Sequence, residues 1–520
     1  ELWGAAAVTF LFMLGAYLEA RTMSRTRRAL QELLELAPTS AIVLRDGQQV
    51  EVMPHEVAPG EIVLVKPGAK VPVDGEVVIG RAAINESAIT GESLPVDKSE
   101  GDRVFAGTVS QNGVLQVRAT GVGADTTLAR IVRRVEEAQE ERAPTQRFIE
   151  RFARWYTPFI IILSAVAYAI SRDIELALTL LVIGCPGALV ISIPVSIVAG
   201  IGRAARDGIL IKGGEFLETS AKIDTVAVDK TGTLTEGRPQ LTDVIVLNPA
   251  LDRTGVLRWA ALAEAGSEHP LARPILDAAA DAGVAPVGLA DHTEPVPGKG
   301  IAATAGQHRV LIGNAALLEH YDLPDTLQAN RVAEELAAAG QTPMIVAIDD
   351  TVAGVIAVAD ALRTDAAAMV DRLHHSGVRT VVMLTGDAPQ VAHAVATATG
   401  IDEVHAGLLP EDKLDAVAAL QRRGHTVAMV GDGVNDAPAL ATANIGVAMG
   451  AAGSAVAVET ADIALMGDDL LKLPEAISLA KRTVNNMRQN ITIAMITVTL
   501  LLVGVLFGGV TMAIGMLVHE

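Results

Sequence analysis

Ile223-Asp224-Thr225-Val226-Ala227-Val228-Asp229-Lys230-Thr231-Gly232-Thr233-Leu234-Thr235 is the stretch around which the chain is organised. The run up to Val228 is mostly apolar and β-branched, which reads as a short buried strand. Asp229 stands at its end, and a Gly/Thr turn follows at once. The carboxyl end of a strand is where an α/β sheet presents reactive groups. A carboxylate there has the chemistry of a nucleophile, because accepting a phosphoryl group splits one hard transfer into two easier ones. Asp-Lys-Thr alone equally suits an ordinary polar turn between strand and helix, so the remaining sequence has to decide.

Two more strand ends carry acids. Val378 to Leu384 is an apolar run closed by Thr385-Gly386-Asp387, and Thr426 to Val430 is closed by Gly431-Asp432-Gly433-Val434-Asn435-Asp436. Between them, Pro410-Glu411-Asp412-Lys413 supplies a basic residue. Phosphoryl transfer wants these types: carboxylates to share a divalent cation with the phosphoryl group, a positive side chain to offset developing charge, and donors on the oxygens.

The totals bound the rest. At 520 residues the chain is too long for one core. Half of it is hydrophobic, yet it carries a formal charge of -20, a combination that fits apolar membrane segments joined to acidic soluble domains. The negative balance argues against a nucleic-acid partner, whose footprint is basic. Cys185 is the only cysteine, which excludes an intrachain disulfide. The chain opens in an apolar run with no initiator Met and no charged leader, so a fragment is expected.

Leu2 to Leu18 is long enough to span, and Arg21, Arg25, Arg27 and Arg28 mark its cytosolic end. After a charged helical stretch from Glu136 to Arg154, Tyr156 to Ile170 goes out. Ser171-Arg172-Asp173 turns, and Leu176 to Ala199 returns to Arg203 and Arg206, so both flanks of this hairpin are basic. Inside the return lies Cys185-Pro186-Gly187. Pro186 has no N–H and frees the carbonyl of Val182, and irregular backbone at membrane depth persists only in protein or beside a cavity. A thiolate beside freed carbonyls suits a transition metal; a kink with a packed Cys is the plainer alternative. Lys481, Arg482 and Arg488 precede the span Ile491 to Phe507. Gly508-Gly509 turns the chain, and the following run to Val518 is roughly 15 Å of helix, half the hydrocarbon thickness. That places His519 and Glu520 near the midplane, at a depth similar to Cys185.

From Ala41 to about Val122, short β-branched runs alternate with Gly and Pro, the texture of a small β domain, and Thr90-Gly91-Glu92-Ser93 lies within it. An insertion of soluble texture, Pro239 to Thr351, holds Ser267-Glu268-His269-Pro270, Gly298-Lys299-Gly300 and Gly313-Asn314.

In order and spacing, Asp-Lys-Thr-Gly-Thr-Leu-Thr, Thr-Gly-Glu-Ser, Thr-Gly-Asp and Gly-Asp-Gly-Val-Asn-Asp resemble the motifs of the P-type ATPases. Cys-Pro-x and Ser-Glu-His-Pro are similar to those of the heavy-metal-transporting (CPx-type) branches, nearest to the cobalt/zinc/cadmium types. The resemblance covers nearly the whole chain. It implies a multidomain membrane protein with an α-helical transmembrane bundle (1–20, 155–200 and 489–520) and a β-rich actuator domain (41–125). It also implies an α/β haloacid-dehalogenase-like phosphorylation domain (222–238 and 352–470) and an α+β nucleotide-binding domain (239–351).

The implied activity is ATP-driven export of a divalent ion of the Zn2+/Co2+/Cd2+ class through an aspartyl-phosphate on Asp229. Glu92 positions the hydrolytic water. Thr385 and Lys413 hold phosphate oxygens, and Gly386 and Asp387 of the same loop bind the cofactor with Thr231 and Asn435. Mg2+ falls to Asp229, Asp432 and the Thr231 carbonyl, with Asn435 and Asp436 close by. ATP falls to His269 and Glu268, with Gly298, Gly300 and Asn314, and the transported ion to Cys185, His519 and Glu520. The implied cofactors are ATP and Mg2+, and the partners are the ion and a lipid bilayer, with no nucleic acid and a monomeric pump. The implied location is the cell membrane, multi-pass, with the soluble domains cytosolic.

One departure matters: Gly187 stands where many relatives carry a second Cys or a His, which weakens a copper assignment. A Cu+ or Mn2+ pump remains the alternative, as does a membrane-tethered phosphatase of the same phosphotransfer fold. The actuator motif and the mid-membrane Cys-Pro argue against the phosphatase. Intact Asp229, Glu92 and Asp432 argue against a third reading, a metal sensor that does not transport.

Overall fold

The structure is a computed structural model that describes residues 38–90, 95–140, 143–184, 187–267, 271–286, 288–432, 436–451, 455–507 and 509–519, with Phe10, Met13, Leu14, Tyr17, Ala20 and Arg21 before them. It divides into two compact units, Glu1–Ile223 with Asn444–Glu520, and Asp224–Ala443. The expected first span lies almost wholly outside the described residues.

The first soluble part is β-rich, as its turn-punctuated runs require. Its strands are β1 (Ala41–Arg45), β2 (Gln48–Val52), β3 (Ile62–Val65), β4 (Asp74–Gly80) and β5 (Ala82–Asn85), then after the single turn α1 (Ser87–Thr90), β6 (Val96–Lys98), β7 (Arg103–Val104), β8 (Val109–Ser110) and β9 (Leu115–Gly121). They form one sheet in the order β2-β1-β3-β9-β4-β7 and a second in the order β6-β5-β8. Asp46 and Gly47 both adopt left-handed backbone at the β1–β2 hairpin, the two-residue turn that Asp-Gly favours. Alternate residues point inward, so Val65, Val77, Ile84, Leu115 and Val117 make a dry core. Helix α2 (Thr127–Glu140) leaves this domain. Asp74 Oδ2 caps its start, accepting from Thr127 N at 2.6 Å and Thr127 Oγ1 at 2.8 Å.

Helix α3 (Pro144–Ser171) is 28 residues long, roughly 42 Å of helix against about 30 Å of hydrocarbon. Trp155, Phe159, Ile161, Ile162 and Ile170 on it are exposed. Arg172 takes a left-handed backbone to close it, and Asp173 Oδ1 caps α4 (Ile174–Ile183), accepting from Glu175 N at 2.8 Å. The return that reads as one span is thus two helices, α4 and α5 (Gly187–Arg206). They flank Cys185-Pro186, where proline supplies no helical donor; those two residues lie outside the described set. Next come β10 (Ile209–Ile211) and α6 (Gly214–Ser220).

In the second unit, β11 (Thr225–Asp229) is buried at every position. Strand β12 (Gln240–Val246) opens an inserted sheet, and α7 (Arg253–Glu264), α8 (Ala272–Asp281), β13 (His292–Val296), β14 (Gly300–Ala305) and β15 (His308–Gly313) follow. Then come α9 (Ala315–His320), α10 (Leu327–Ala338), β16 (Thr342–Ile348) and β17 (Thr351–Ala359), and the strand order is β12-β17-β16-β15-β14-β13. The insertion therefore runs to Ala359 and not to residue 351. Thr351–Ala359 returns from a left-handed Asp349-Asp350 turn and pairs with both β16 and β12.

Strand alternation gives this sheet two covered faces. Ile301, Ala303, Val310 and Ile312 pack against α7 and α8, while Ala302 and Leu311 pack against α9 and α10. The chain then supplies α11 (Ala366–His375), β18 (Thr380–Leu384), α12 (Pro389–Thr399), β19 (Glu403–His405), α13 (Pro410–Arg422), β20 (Val427–Gly431) and α14 (Ala437–Thr442). Strands β20 and β18 pair in parallel with β11 on either side, and β19 extends the sheet beyond β18. With all four strands parallel, their carboxyl ends lie along one edge.

Residues after Asn444 return to the first unit. Strand β21 (Ile445–Ala448), helix α15 (Ala455–Thr460) and strand β22 (Ile463–Leu465) come first, and β22 pairs with both β21 and β10. The 35-residue α16 (Lys472–Leu506) buries Leu473, Ile477, Ala480 and Val484 in its first half and exposes Ile493, Ile496 and Leu500 beyond. Among the described residues, α3 and α16 are long and apolar enough to cross a membrane. Helix α17 (Met512–His519) ends the described chain.

Candidate active site

Asp229 closes β11 opposite Leu384 of β18, and its side chain is 8% exposed. The Lys230–Leu234 turn bends away because Gly232 has a φ of 73°, a left-handed backbone that a side chain would strain. Thr235 ties the turn: its Oγ1 accepts from Gly232 N at 3.2 Å and lies 2.6 Å from Asp360 Oδ2, to which it donates. Asp360 also accepts from Gly237 N at 3.1 Å and Arg238 N at 3.0 Å. The end of the inserted sheet is therefore bonded to the segment that carries the nucleophile. Nothing local in the sequence marks Asp360 for this role, since Thr235 is 125 residues away.

Lys413, in the first turn of α13, donates to Asp229 Oδ1 at 2.6 Å and to Asp436 Oδ1 at 2.9 Å. Gly431 makes room, since a Cβ there would stand 2.8 Å from Asp436 Oδ2. Burial, and then the neighbouring Asp436 charge, push the Asp229 carboxyl up to about 6 against the pull of Lys413. Burial would lower the Lys413 ammonium, but the two carboxylates outweigh it and hold it above its usual value. Beside this triad runs a second one. Lys230 Nζ lies 2.6 Å from Asp387 Oδ2, which accepts from Thr385 Oγ1 at 2.9 Å. A Cβ on Gly386 would come within 3.2 Å of the Leu408 carbonyl oxygen, so only glycine sits easily there.

Asp229, Thr385, Gly386, Asp387, Lys413, Asp432 and Asp436 thus gather at one sheet edge. Half-buried Asp432 follows β20, its Cβ 3.9 Å from where a Gly232 Cβ would be. Asn435 lies outside the described residues. One ammonium stands between two buried carboxylates here, and Asp432 follows β20 at the same sheet edge. This surplus of hard oxygen donors suits Mg2+, whose charge would balance it. The sequence alone gives Lys230 no role; its pairing with Asp387 exists only in the fold.

In the inserted sheet, Asn314 caps α9 and donates through Nδ2 to the Gly298 carbonyl oxygen at 3.0 Å. Gly300 and Gly313 face each other across β14 and β15. Gly300 has a φ of 145° and its missing Cβ would strike the Ile312 carbonyl oxygen, so strand pairing itself demands this glycine. Gly298 is different: with a φ of 72° and open space where its Cβ would be, it leaves backbone approachable. Glu268 and His269 lie outside the described residues. Just before them the buried carboxylate of Glu264 ends α7, 5% exposed; the helical pattern conceals it as one more residue of an amphipathic face.

Glu92 lies outside the described residues, as do Cys185 and Glu520. His519 is the last residue of α17. Gly515, one turn earlier, packs its Cα side onto Ile183 at the end of α4, so the backbones leading to His519 and Cys185 run side by side.

Residues 35–136 match the family described as P-type ATPase actuator domain, and residues 223–444 match the haloacid dehalogenase-like hydrolases. The chain is 42% identical over 525 residues to a cadmium-transporting ATPase of Staphylococcus aureus, covering 99% of this chain and 72% of that one. It is 41% identical over 499 residues to a copper-exporting P-type ATPase of Staphylococcus epidermidis, covering 94% and 62%. Among solved structures it resembles a zinc-transporting PIB-type ATPase in the E2.Pi state, with 40% identity and a TM-score of 0.58 over 99% of this chain and 84% of that one.

Proposed function

This chain belongs to the heavy-metal-transporting P-type ATPases, and on that premise we propose that it uses ATP, through an aspartyl-phosphate on Asp229, to export a divalent ion of the zinc, cobalt and cadmium class. The observation that carries the reading is the buried Asp229–Lys413–Asp436 triad at the sheet edge. Burial makes the Asp229 carboxylate more basic and so a better nucleophile, while Lys413 keeps it ionised. A carboxylate oxygen of Asp229 attacks the γ-phosphorus of ATP, the bond to the β-phosphate oxygen breaks, and ADP leaves. Lys413 and Thr385 meet the charge on the transferred oxygens. Asp229, Asp432 and the Thr231 carbonyl, with Asn435 and Asp436, would hold Mg2+, which would supply positive charge against the phosphate. In the second half, water directed by Glu92 attacks phosphorus, the bond to Asp229 breaks, and phosphate departs.

ATP is taken by the insertion through His269, Glu268 and Gly300, with Gly298 and Asn314, which form an open loop. The ion binds between α4 and α17, where Cys185, His519 and Glu520 offer one soft and two harder donors. The adjacency of Ile183 and Gly515 supports that pairing. The pump acts as a monomer in a lipid bilayer, multi-pass, with its soluble domains in the cytosol, and binds no nucleic acid.

ATP hydrolysis by the full-length protein, measured with Zn2+, Co2+, Cd2+, Mn2+ and Cu+ in turn, tests the reading. Stimulation by the first three is expected. Strong stimulation by Cu+ alone would make it a copper pump, and metal-independent hydrolysis would leave only a tethered phosphatase.

A further inference from the structure

The small sheet β6-β5-β8 carries an ion pair that the reaction above does not use. Along β5, Ala82 and Ile84 face inward and are buried. Glu86, two residues on, keeps that period and is buried too. Lys98 ends β6 directly opposite Ala82 and so shares this inward face. Its Nζ lies 3.0 Å from Glu86 Oε1, with the Lys98 side chain 13% and the Glu86 side chain 6% exposed. The ammonium also stands 6.0 Å from the centroid of the Phe105 ring.

Two apolar residues of similar volume often stabilise such a place as well or better, so what distinguishes the pair is the geometry it holds between the end of β5 and the end of β6. That geometry is fixed at the root of a functional segment. Thr90 N and Oγ1 both donate to the Glu86 carbonyl oxygen, at 2.9 and 3.2 Å. Ser87 N donates to Asn85 Oδ1 at 3.0 Å. Residues 85–90 therefore form one rigid turn that hands the chain on to Gly91 and Glu92, and β6 takes it back to Lys98. Glu86 and Lys98 hold the two ends of the segment that bears Glu92.

We propose that the Glu86–Lys98 ion pair is a positioning device for dephosphorylation: it fixes both ends of the Glu92 segment, and so governs how fast the aspartyl-phosphate is hydrolysed but not how fast it forms. The proposal rests on the reading that Glu92 directs the hydrolytic water.

The test uses full-length protein, with acid-stable phosphoenzyme formed from labelled ATP and then chased with unlabelled ATP. The double variant Glu86→Met/Lys98→Met keeps volume and removes the pair. It is expected to form phosphoenzyme at the wild-type rate, to keep its thermal midpoint within a few degrees, and to lose the label about tenfold more slowly, within the ~100-fold that a 1 Å misplacement can cost. Glu86→Gln gives the same readout should the double variant fail to fold. Decay at the wild-type rate would overturn the proposal. So would formation, decay and thermal midpoint falling together, since that pattern marks a merely structural pair. Glu92→Gln, run alongside, separates the two levels: unslowed decay there overturns the reading of Glu92 itself, whereas slowed decay there with normal decay in the pair variants overturns only the positioning role.

Discussion

Replacing Lys413 by methionine keeps most of the side chain's volume and removes the ammonium that binds both Asp229 and Asp436. The substitution breaks ion pairs of 2.6 and 2.9 Å and leaves two carboxylates, 8% and 4% exposed, facing each other. Asp229 already sits at about 6 with Lys413 in place, so at neutral pH it is mostly ionised. Without the ammonium, burial and the Asp436 charge act unopposed and drive its value higher. Only the ionised form attacks phosphorus, so the wild-type rate of phosphoenzyme formation falls as pH drops through about 6, and the variant's falling limb lies at higher pH. Each unit of rise beyond the assay pH removes about tenfold of the ionised form, or ~1.4 kcal/mol.

The assay is the rate of acid-stable phosphoenzyme formation at fixed Mg2+ and saturating ATP, across pH 5 to about 9, the range over which such a shift reads out. A loss on the order of tenfold or more at neutral pH, partly recovered in alkali, is expected. An unchanged rate and an unmoved acid limb would refute the electrostatic role of Lys413. A loss that alkali does not relieve would mean that Lys413 acts on phosphate alone.

Asp229→Asn should abolish acid-stable phosphoenzyme, since an amide is no acceptor; normal labelling would remove the central assignment. Gly300→Ala should lower the thermal midpoint, with overpacking costing roughly 1–3 kcal/mol, because its Cβ meets the Ile312 carbonyl. Gly298→Ala has open space for its methyl but a φ of 72°, so it should cost only the left-handed backbone strain of about 1 kcal/mol and weaken ATP binding, and calorimetric titration with ATP compares the two. Cys185→Ala and His519→Ala should each remove Zn2+- or Co2+-stimulated hydrolysis while ATP binding persists; retained stimulation in both would put the ion elsewhere.

Much of this protein is legible in its sequence alone. Strand–acid–turn patterns are local, because an apolar β-branched run and a glycine turn act on their own residues. Asp229, Thr385, Asp387, Asp432 and Asp436 can therefore be picked out as strand-end acids or their partners. The long apolar helices α3 and α16 are equally local, since length and apolar composition are contiguous. Pro186 falls in the interval between α4 and α5.

Other features depend on residues brought together from afar. The end of the insertion moves to Ala359 because strand membership is decided by pairing, and Thr351–Ala359 is as apolar as a parallel strand would be. Asp360 is a tie point only because Thr235, Gly237 and Arg238 aim three donors at it. Gly300 reads as a nucleotide contact, yet the β14–β15 register is what requires it. Lys98 and Glu86 are ordinary charges in sequence; burial on one face of a small sheet makes them a pair. Periodicity and turn chemistry are written residue by residue, whereas burial, register and the meeting of charges are properties of the packed chain.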